Sequence, residues 1–295
     1  MVSGKSKRVE EMNYFELIAW LGIGSSHPGG FPATLQNLRS LQVKAEDLVL
    51  DAGCGTGLTA CHLAKMAGCK IIGIDLSPEM VEKARQRAEK EGVSSLVEFR
   101  VADVFKLPFD DNYFDVVMGE SITVFLDKVQ VYREFYRVLK PEGRIADLEM
   151  ALLGDLSPGL RKQMEECFGS STNPLPPDDW LAALTEAGFL DVEIKNPQRL
   201  KSNGNVIVNA LKNDWMLIKD LTTKFTSQPG LYSRLQKNAG FMKQNRHYFG
   251  FGLMYGRKPT PPSPPERVGI KGWVQKGFSN LIDFRNNLLF PKLKH

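Results

Sequence analysis

The run Val49-Leu50-Asp51-Ala52-Gly53-Cys54-Gly55-Thr56-Gly57 carries the densest chemical signal in this chain. An apolar stretch ends in an acid and passes into alternating glycines. Such a turn needs unusual backbone angles and lets a ligand approach bare main chain. The pattern is that of a nucleotide-type ligand lying over the C-terminal edge of a sheet. The glycines alone leave dinucleotides in play. However, the dinucleotide fingerprint wants a small residue at position 58, and this chain has Leu58.

Further acids follow in order. Asp75 ends Ile71-Ile72-Gly73-Ile74-Asp75, placed to accept hydrogen bonds from both hydroxyls of a ribose. Asp103 sits in Val101-Ala102-Asp103-Val104, and Glu120 ends Phe114-Asp115-Val116-Val117-Met118-Gly119-Glu120. Any one of these acids reads equally as a strand end or a helix cap. The ordered series is what points to a binding edge. His27, in the loop Gly22-Ile23-Gly24-Ser25-Ser26-His27-Pro28-Gly29-Gly30, is a candidate active-site group or simply a turn residue. His247 and Tyr248 read as a second candidate pair or as part of a wall. Cys61 and Cys69, with Cys167, suggest a thiophilic acceptor, but they read more simply as core.

These residues need a scaffold. Continuous apolar runs without period-2 alternation mark strands buried on both faces, at 47–52, 70–75, 96–101, 114–119 and 143–149. Helical patterns at 57–67, 78–91 and 127–139 lie between them. This alternation predicts an α/β fold: a Rossmann-like, doubly wound, mostly parallel sheet. Beyond it the sequence predicts a Pro/Gly-rich lid at 151–178, a helix over Asp178–Ala187 and a strand over Leu190–Lys195. Helices at 205–222 and 229–245 and a strand over Gly250–Gly256 follow. Two helices, at 9–22 and about Ala33–Leu41, precede the sheet.

The segment from about 45 to 150 resembles the class I S-adenosylmethionine (SAM)-dependent methyltransferase domain, in the style of the ubiquinone/menaquinone C-methyltransferase and tocopherol-methyltransferase-like group. Phe135-Tyr-Arg-Val-Leu-Lys-Pro-Glu-Gly143 matches the helix and turn before strand five of that family. The resemblance implies a seven-stranded sheet whose last strand is antiparallel, and it implies SAM as cofactor. It places Gly53, Cys54, Gly55 and Gly57 under the methionine part of the cofactor. Asp51 faces the amino group, Asp75 the ribose and Asp103 the adenine amino group, with Leu76, Ala102 and Val104 around the ring. Glu120 touches cofactor or acceptor. Related enzymes often carry Glu-Ser-x-His after strand four, whereas this chain has Glu120-Ser121-Ile122-Thr123. Candidate catalytic residues are therefore Glu120, His27 and Thr123. The N-terminal segment is expected to fold over the cofactor, with Tyr14, Phe15 and Trp20 near the sulfonium.

The expected organisation is an N-terminal helical lid at 1–44, a methyltransferase domain at 45–258 with helical insertions at 151–178 and 205–245, a Pro-rich linker at 259–266 and a basic amphipathic tail at 267–295. The tail holds six Lys/Arg against one acid, and removing it leaves 32 basic and 33 acidic residues. The body is thus neutral, which argues against a nucleic-acid partner. The tail, with Trp273 and Phe278 on one face, is expected to dock on a membrane surface, on the protein's own body or on a partner. With no span of 18 apolar residues and no C-x-x-C pair, the expectation is a cytoplasmic protein, at the inner membrane face if the tail binds lipid. Monomer and homodimer are both open, and no metal is expected. The expected activity is methyl transfer to a small, lipophilic, quinone-like acceptor. The alternatives are an NAD-dependent oxidoreductase and a non-catalytic SAM-binding module.

Overall fold

The computed structural model describes residues 9, 12, 14–24, 27–201, 214, 224, 228 and 230–261. The chain divides into two compact units, Met1–Pro259 and Thr260–His295. The helix expected at 205–222 and the tail at 267–295 lie outside the described residues, as does the side chain of Phe15.

The strands are β1 (Leu48–Ala52), β2 (Lys70–Asp75), β3 (Val97–Val101), β4 (Phe114–Glu120), β5 (Leu139–Leu152), β6 (Leu190–Arg199) and β7 (Phe249–Arg257). They form one sheet in the order β3-β2-β1-β4-β5-β7-β6. β7 runs antiparallel to both neighbours, and the pairings from β3 through β5 are parallel. The expected doubly wound sheet with an antiparallel last strand is present. Its reversal of strand order at β1/β4 opens a crevice at the strands' C-terminal ends, where ligands of such sheets bind.

The helices are α1 (Tyr14–Leu21), α2 (Gly30–Leu41), α3 (Leu58–Ala67), α4 (Pro78–Glu91), α5 (Lys128–Val138), α6 (Pro158–Phe168), α7 (Pro177–Glu186) and α8 (Gly230–Asn245). Local signals fix their ends. Ser77 caps α4 by accepting from the Met80 N–H, with Pro78 in the first turn. Asp127 caps α5 through the Gln130 N–H. Gly68 and Gly92 close α3 and α4 in the left-handed conformation. Apolar side chains cover both sheet faces. Val49, Ile71, Val116 and Leu148 pack with α3 and α4 residues on one side, and Leu50, Ile72, Val117 and Ile145 pack with α5 and α7 residues on the other.

Between 151 and 178, where a lid and helical insertion are expected, the structure has helix α6. Ser157 caps α6 there through the Leu160 N–H. β5 begins at Leu139 rather than 143, with a register shift between Phe114 and Val116 that absorbs the intervening turn. β6 continues to Arg199, where Asn196 and Gln198 bond Asn37 and Gln36 of α2. The N-terminal segment is thereby fastened to the far edge of the sheet.

Candidate active site

A cavity of about 1200 Å³ opens over the C-terminal ends of β1, β2 and β4. Its floor comes from the glycine loop. Gly53 has φ +72°, and a Cβ there would collide with Ile122, so neither the backbone angle nor the space admits another residue. Gly57, at φ +73°, meets Ala84 of α4 and Phe99 of β3 and lies off the cavity wall. The position allows close packing of the loop on α4 and β3. Asp51, Gly53, Cys54, Gly55, Asp75, Leu76, Ala102, Asp103, Val104 and Glu120 all line the cavity. The strand-end acids therefore share one chamber despite their separation in sequence.

Asp75 is the keystone of this end. Its Oδ2 accepts from the Gly55 N–H at 3.0 Å and its Oδ1 from the Ser77 N–H at 2.8 Å, which ties the glycine loop to the start of α4. Burial raises its pKa, while these two N–H bonds oppose the shift. Asp103 accepts from the Phe105 N–H at 2.9 Å. Leu76 stands exposed at the rim, 71% accessible, a wide apolar surface for a flat ligand.

Asp51 is only 3% exposed, and its Oδ2 has no hydrogen-bond partner. Burial pushes its carboxyl pKa well up, and the neighbouring Glu120 and Asp75 push it further. Three carboxylates thus converge on one end of the cavity, where a cationic ligand would relieve both the repulsion and the orphaned oxygen.

Beside Glu120 stands His27, with Nδ1 at 3.1 Å from the Pro28 carbonyl and Nε2 at 2.9 Å from Thr34 Oγ1. A carbonyl only accepts, so Nδ1 carries the proton and the Thr34 hydroxyl donates to Nε2 in the neutral ring. The same Nε2 lies 3.7 Å from Glu120 Oε2. Thr59 Oγ1 donates to that oxygen at 2.8 Å. Ser121, at φ +53°, makes the turn after Glu120 and bonds the Leu148 carbonyl. Two candidates, His27 and Glu120, are therefore neighbours in one polar network. Thr34 and Thr59, which complete it, carry no signal in the sequence beyond their type.

Thr123 is placed elsewhere. It is fully buried, is not among the residues that line the cavity, and donates its N–H to Glu149 Oε1 at 2.7 Å. The turn Thr123–Phe125 points this residue at the far face of the sheet, toward buried Asp147 and Glu149. Trp20 also misses the cavity wall, whereas Tyr14 reaches it. His247 packs against Tyr248 with the rings tilted by 40°, and neither residue lines the cavity. All four cysteines are free and buried; burial lifts the Cys61 thiol to about 12 and the Cys69 thiol to about 11, and neither lines the cavity. Among the described residues no cluster suited to a metal ion occurs, and no helix is long and apolar enough to cross a membrane.

The remaining walls are apolar: Ile18 and Ile23 near α1, Phe168 of α6, Leu235 and Met242 of α8, and Phe251 of β7. Sequence reasoning left these unassigned because they are ordinary core residue types. What distinguishes them is the cavity they share.

Residues 50–146 match the model of a family described as methyltransferase domain. The uncharacterized methyltransferase YodH of Bacillus subtilis is 32% identical over 180 residues, covering 61% of this chain and 76% of YodH. The 27-O-demethylrifamycin SV methyltransferase of Amycolatopsis mediterranei is 38% identical over 153 residues, covering 50% of this chain and 56% of that protein. Among solved structures, phosphoethanolamine N-methyltransferase 2 of Haemonchus contortus, in complex with S-adenosyl-L-methionine, superposes with a TM-score of 0.65 at 22% identity, over 82% of this chain and 56% of that one.

Proposed function

This chain belongs to the class I SAM-dependent methyltransferases, and from that premise we propose that it methylates a lipophilic small molecule. The observation that carries this reading is a single cavity with two chemically opposite ends. One end is acidic and built on the glycine loop; the other is apolar, and His27 and Glu120 also line the wall. About 1200 Å³ exceeds the roughly 300–1,000 Å³ typical of a site for one small ligand, so cofactor and acceptor have room together. The NAD alternative loses its footing against the methyltransferase relationship.

The acidic end fits SAM on its own chemistry. The orphaned Asp51 Oδ2, crowded by Glu120 and Asp75, calls for positive charge, and SAM carries both an ammonium and a sulfonium. Asp51 and the loop Gly53–Gly55 would hold the amino-acid part, Asp75 the ribose, and Asp103 with Leu76, Ala102 and Val104 the adenine. When bound, SAM supplies an electrophilic methyl carbon.

The protein's own contribution is to position the acceptor and exclude water. His27 and Glu120 take up the proton of an acceptor that keeps one at neutral pH, and the Thr34 and Thr59 hydroxyls hold the pair in place. The apolar walls suit a quinone-like ring or another acceptor of similar polarity. Residues 267–295 would suit such an acceptor if they dock on anionic lipid. Flotation of full-length protein and of a chain ending at Lys258 with anionic liposomes tests that part, and equal negligible binding ends it.

The decisive experiment incubates the protein with methyl-labelled SAM and extracts divided into lipid-soluble, small polar and macromolecular fractions. Label should enter the lipid-soluble fraction. Label confined to macromolecules would overturn the acceptor assignment.

A further inference from the structure

In the apolar part of the cavity two buried polar side chains have no partner. Asn238, in the middle of α8, is 7% exposed, and neither its Oδ1 nor its Nδ2 makes a hydrogen bond. Thr172, in the loop after α6, is 3% exposed, and its Oγ1 is equally unpartnered. Both line the cavity. Leu235, Asn238, Ala239 and Met242 recur at i, i+3, i+4 and i+7, so they form one face of α8, and all four line the cavity. Tyr232, Gln236 and Lys243 of α8 also line the cavity but are exposed, so among the described residues Asn238 is the buried polar side chain that this helix brings to it.

A buried polar group left unsatisfied is destabilising, because it gives up its bonds to water and gains none in return. Here the cost falls on two side chains lining the same chamber, while backbone groups nearby are paired as usual. The Thr172 N–H, for instance, bonds the Gly169 carbonyl. Neither residue has a structural task, since neither ties down an element through its side chain. An unmet donor and acceptor in a ligand chamber are the mark of groups that a ligand completes.

We infer that Thr172 and Asn238 form the acceptor-recognition subsite, and that the acceptor carries a hydroxyl or carboxamide on an apolar body. The inference rests on reading this cavity as the methyl-acceptor site. The chemistry narrows the class. Asn238 presents both an acceptor oxygen and an NH2 donor, whichever way its amide is turned. A hydroxyl or a carboxamide answers both. A ketone or ether leaves one atom orphaned, and a quaternary ammonium or a hydrocarbon leaves both without a hydrogen bond. Arg199, Lys201 and Lys243 also line the cavity but are exposed, so water screens them and they do not set the choice.

The test uses full-length protein saturated with S-adenosylhomocysteine and three matched probes: 2-naphthamide, 2-naphthol and 2-methylnaphthalene. Wild-type protein should bind the amide and the phenol at least about tenfold more tightly than the hydrocarbon, the value of one to two neutral hydrogen bonds. The near-isosteric variants Thr172→Val and Asn238→Leu, and their double, should lose this preference. They should also melt at the same temperature as wild type or higher, because an unsatisfied polar group has been removed. A purely structural role predicts the opposite, a lower melting temperature. A preference that survives in the double variant, equal affinity for all three probes, or no binding of any overturns the inference. SAM affinity is measured separately by calorimetry. If SAM fails to bind, the methyltransferase reading of the cavity fails, whereas the probe series reports on the subsite alone.

Discussion

His27 Nε2 lies 3.7 Å from Glu120 Oε2, although one residue precedes α2 and the other ends β4. The contact joins the N-terminal segment to the sheet edge at the point where cofactor and acceptor would meet. Thr34 on α2 and Thr59 on α3 hold its two members from opposite sides.

If this pair handles the acceptor proton, His27→Gln should lower turnover by on the order of 100-fold, the usual scale for a positioned acid or base. SAM affinity should stay nearly constant. Single-turnover rates alongside calorimetry separate the two, and an unchanged rate would remove His27 from the chemistry.

Asp75→Ala should weaken SAM binding by roughly 1–3 kcal/mol, the range for losing a buried hydrogen-bonding partner. The effect has two sources, because the same carboxylate holds the Gly55 and Ser77 N–H groups. Asp75→Asn keeps part of that bracing and should lose less. A folded Asp75→Ala protein with wild-type affinity would end the ribose assignment.

Asp51 makes SAM binding pH-dependent. Burial, Glu120 and Asp75 raise its pKa in the free protein, so a cationic ligand must favour the ionised form and expel a proton. Affinity should rise with pH until Asp51 is ionised without ligand. Calorimetry in buffers of different ionisation heat should register proton release in wild type and none from Asp51→Asn.

The buried acids behind the site set a second pH effect. Asp147 accepts from Tyr132 Oη at 2.8 Å, and burial still pushes its pKa up to about 6, above the roughly 3.9 of a free side chain. A raised carboxyl pKa means that the folded state holds the proton more tightly. Its stabilising contribution is complete below about pH 4 and is lost as the pH rises through about 6. Urea unfolding of Asp147→Asn should therefore show a stability gain over wild type that grows across this window. A constant difference would refute it.

Arg87, 2% exposed, joins three places: the Thr56 carbonyl of the glycine loop, Glu91 on its own helix, and buried Asp214 at 2.5 Å. Arg87→Leu removes the buried guanidinium that bonds the Thr56 carbonyl, Glu91 and Asp214 together, and should cost about 3–5 kcal/mol in denaturant unfolding. The double variant Arg87→Leu/Asp214→Leu should recover part of that loss. No recovery would mean that the cost is one of packing.

Much of this protein is legible before it folds. Strands without period-2 alternation, separated by capped helical patterns, admit hardly any fold but a covered parallel sheet, and strand-end acids must then point to its C-terminal edge. Asp51, Asp75, Asp103 and the loop glycines follow from that local logic, because each position is set by its own strand and turn. Asn238 left no comparable trace, because an amide in a helix gains meaning only once that helix is known to border a cavity.

Tertiary structure alone decided which long-range neighbours meet. Gly57 shares the glycine pattern, yet it packs on Ala84 and Phe99 beneath the loop. Thr123 follows Glu120 closely, yet the turn through Ser121 sends it to the opposite face of the sheet, against Glu149. His27 gained its meaning from α2 fastening to β6 and setting it beside Glu120. The sequence by itself determined the strand-end acids and the glycine loop, since local periodicity and turn chemistry set them. The apolar walls of the cavity are assembled from α1, α6, α8 and β7, and only their packing decides which side chains stay buried without a partner.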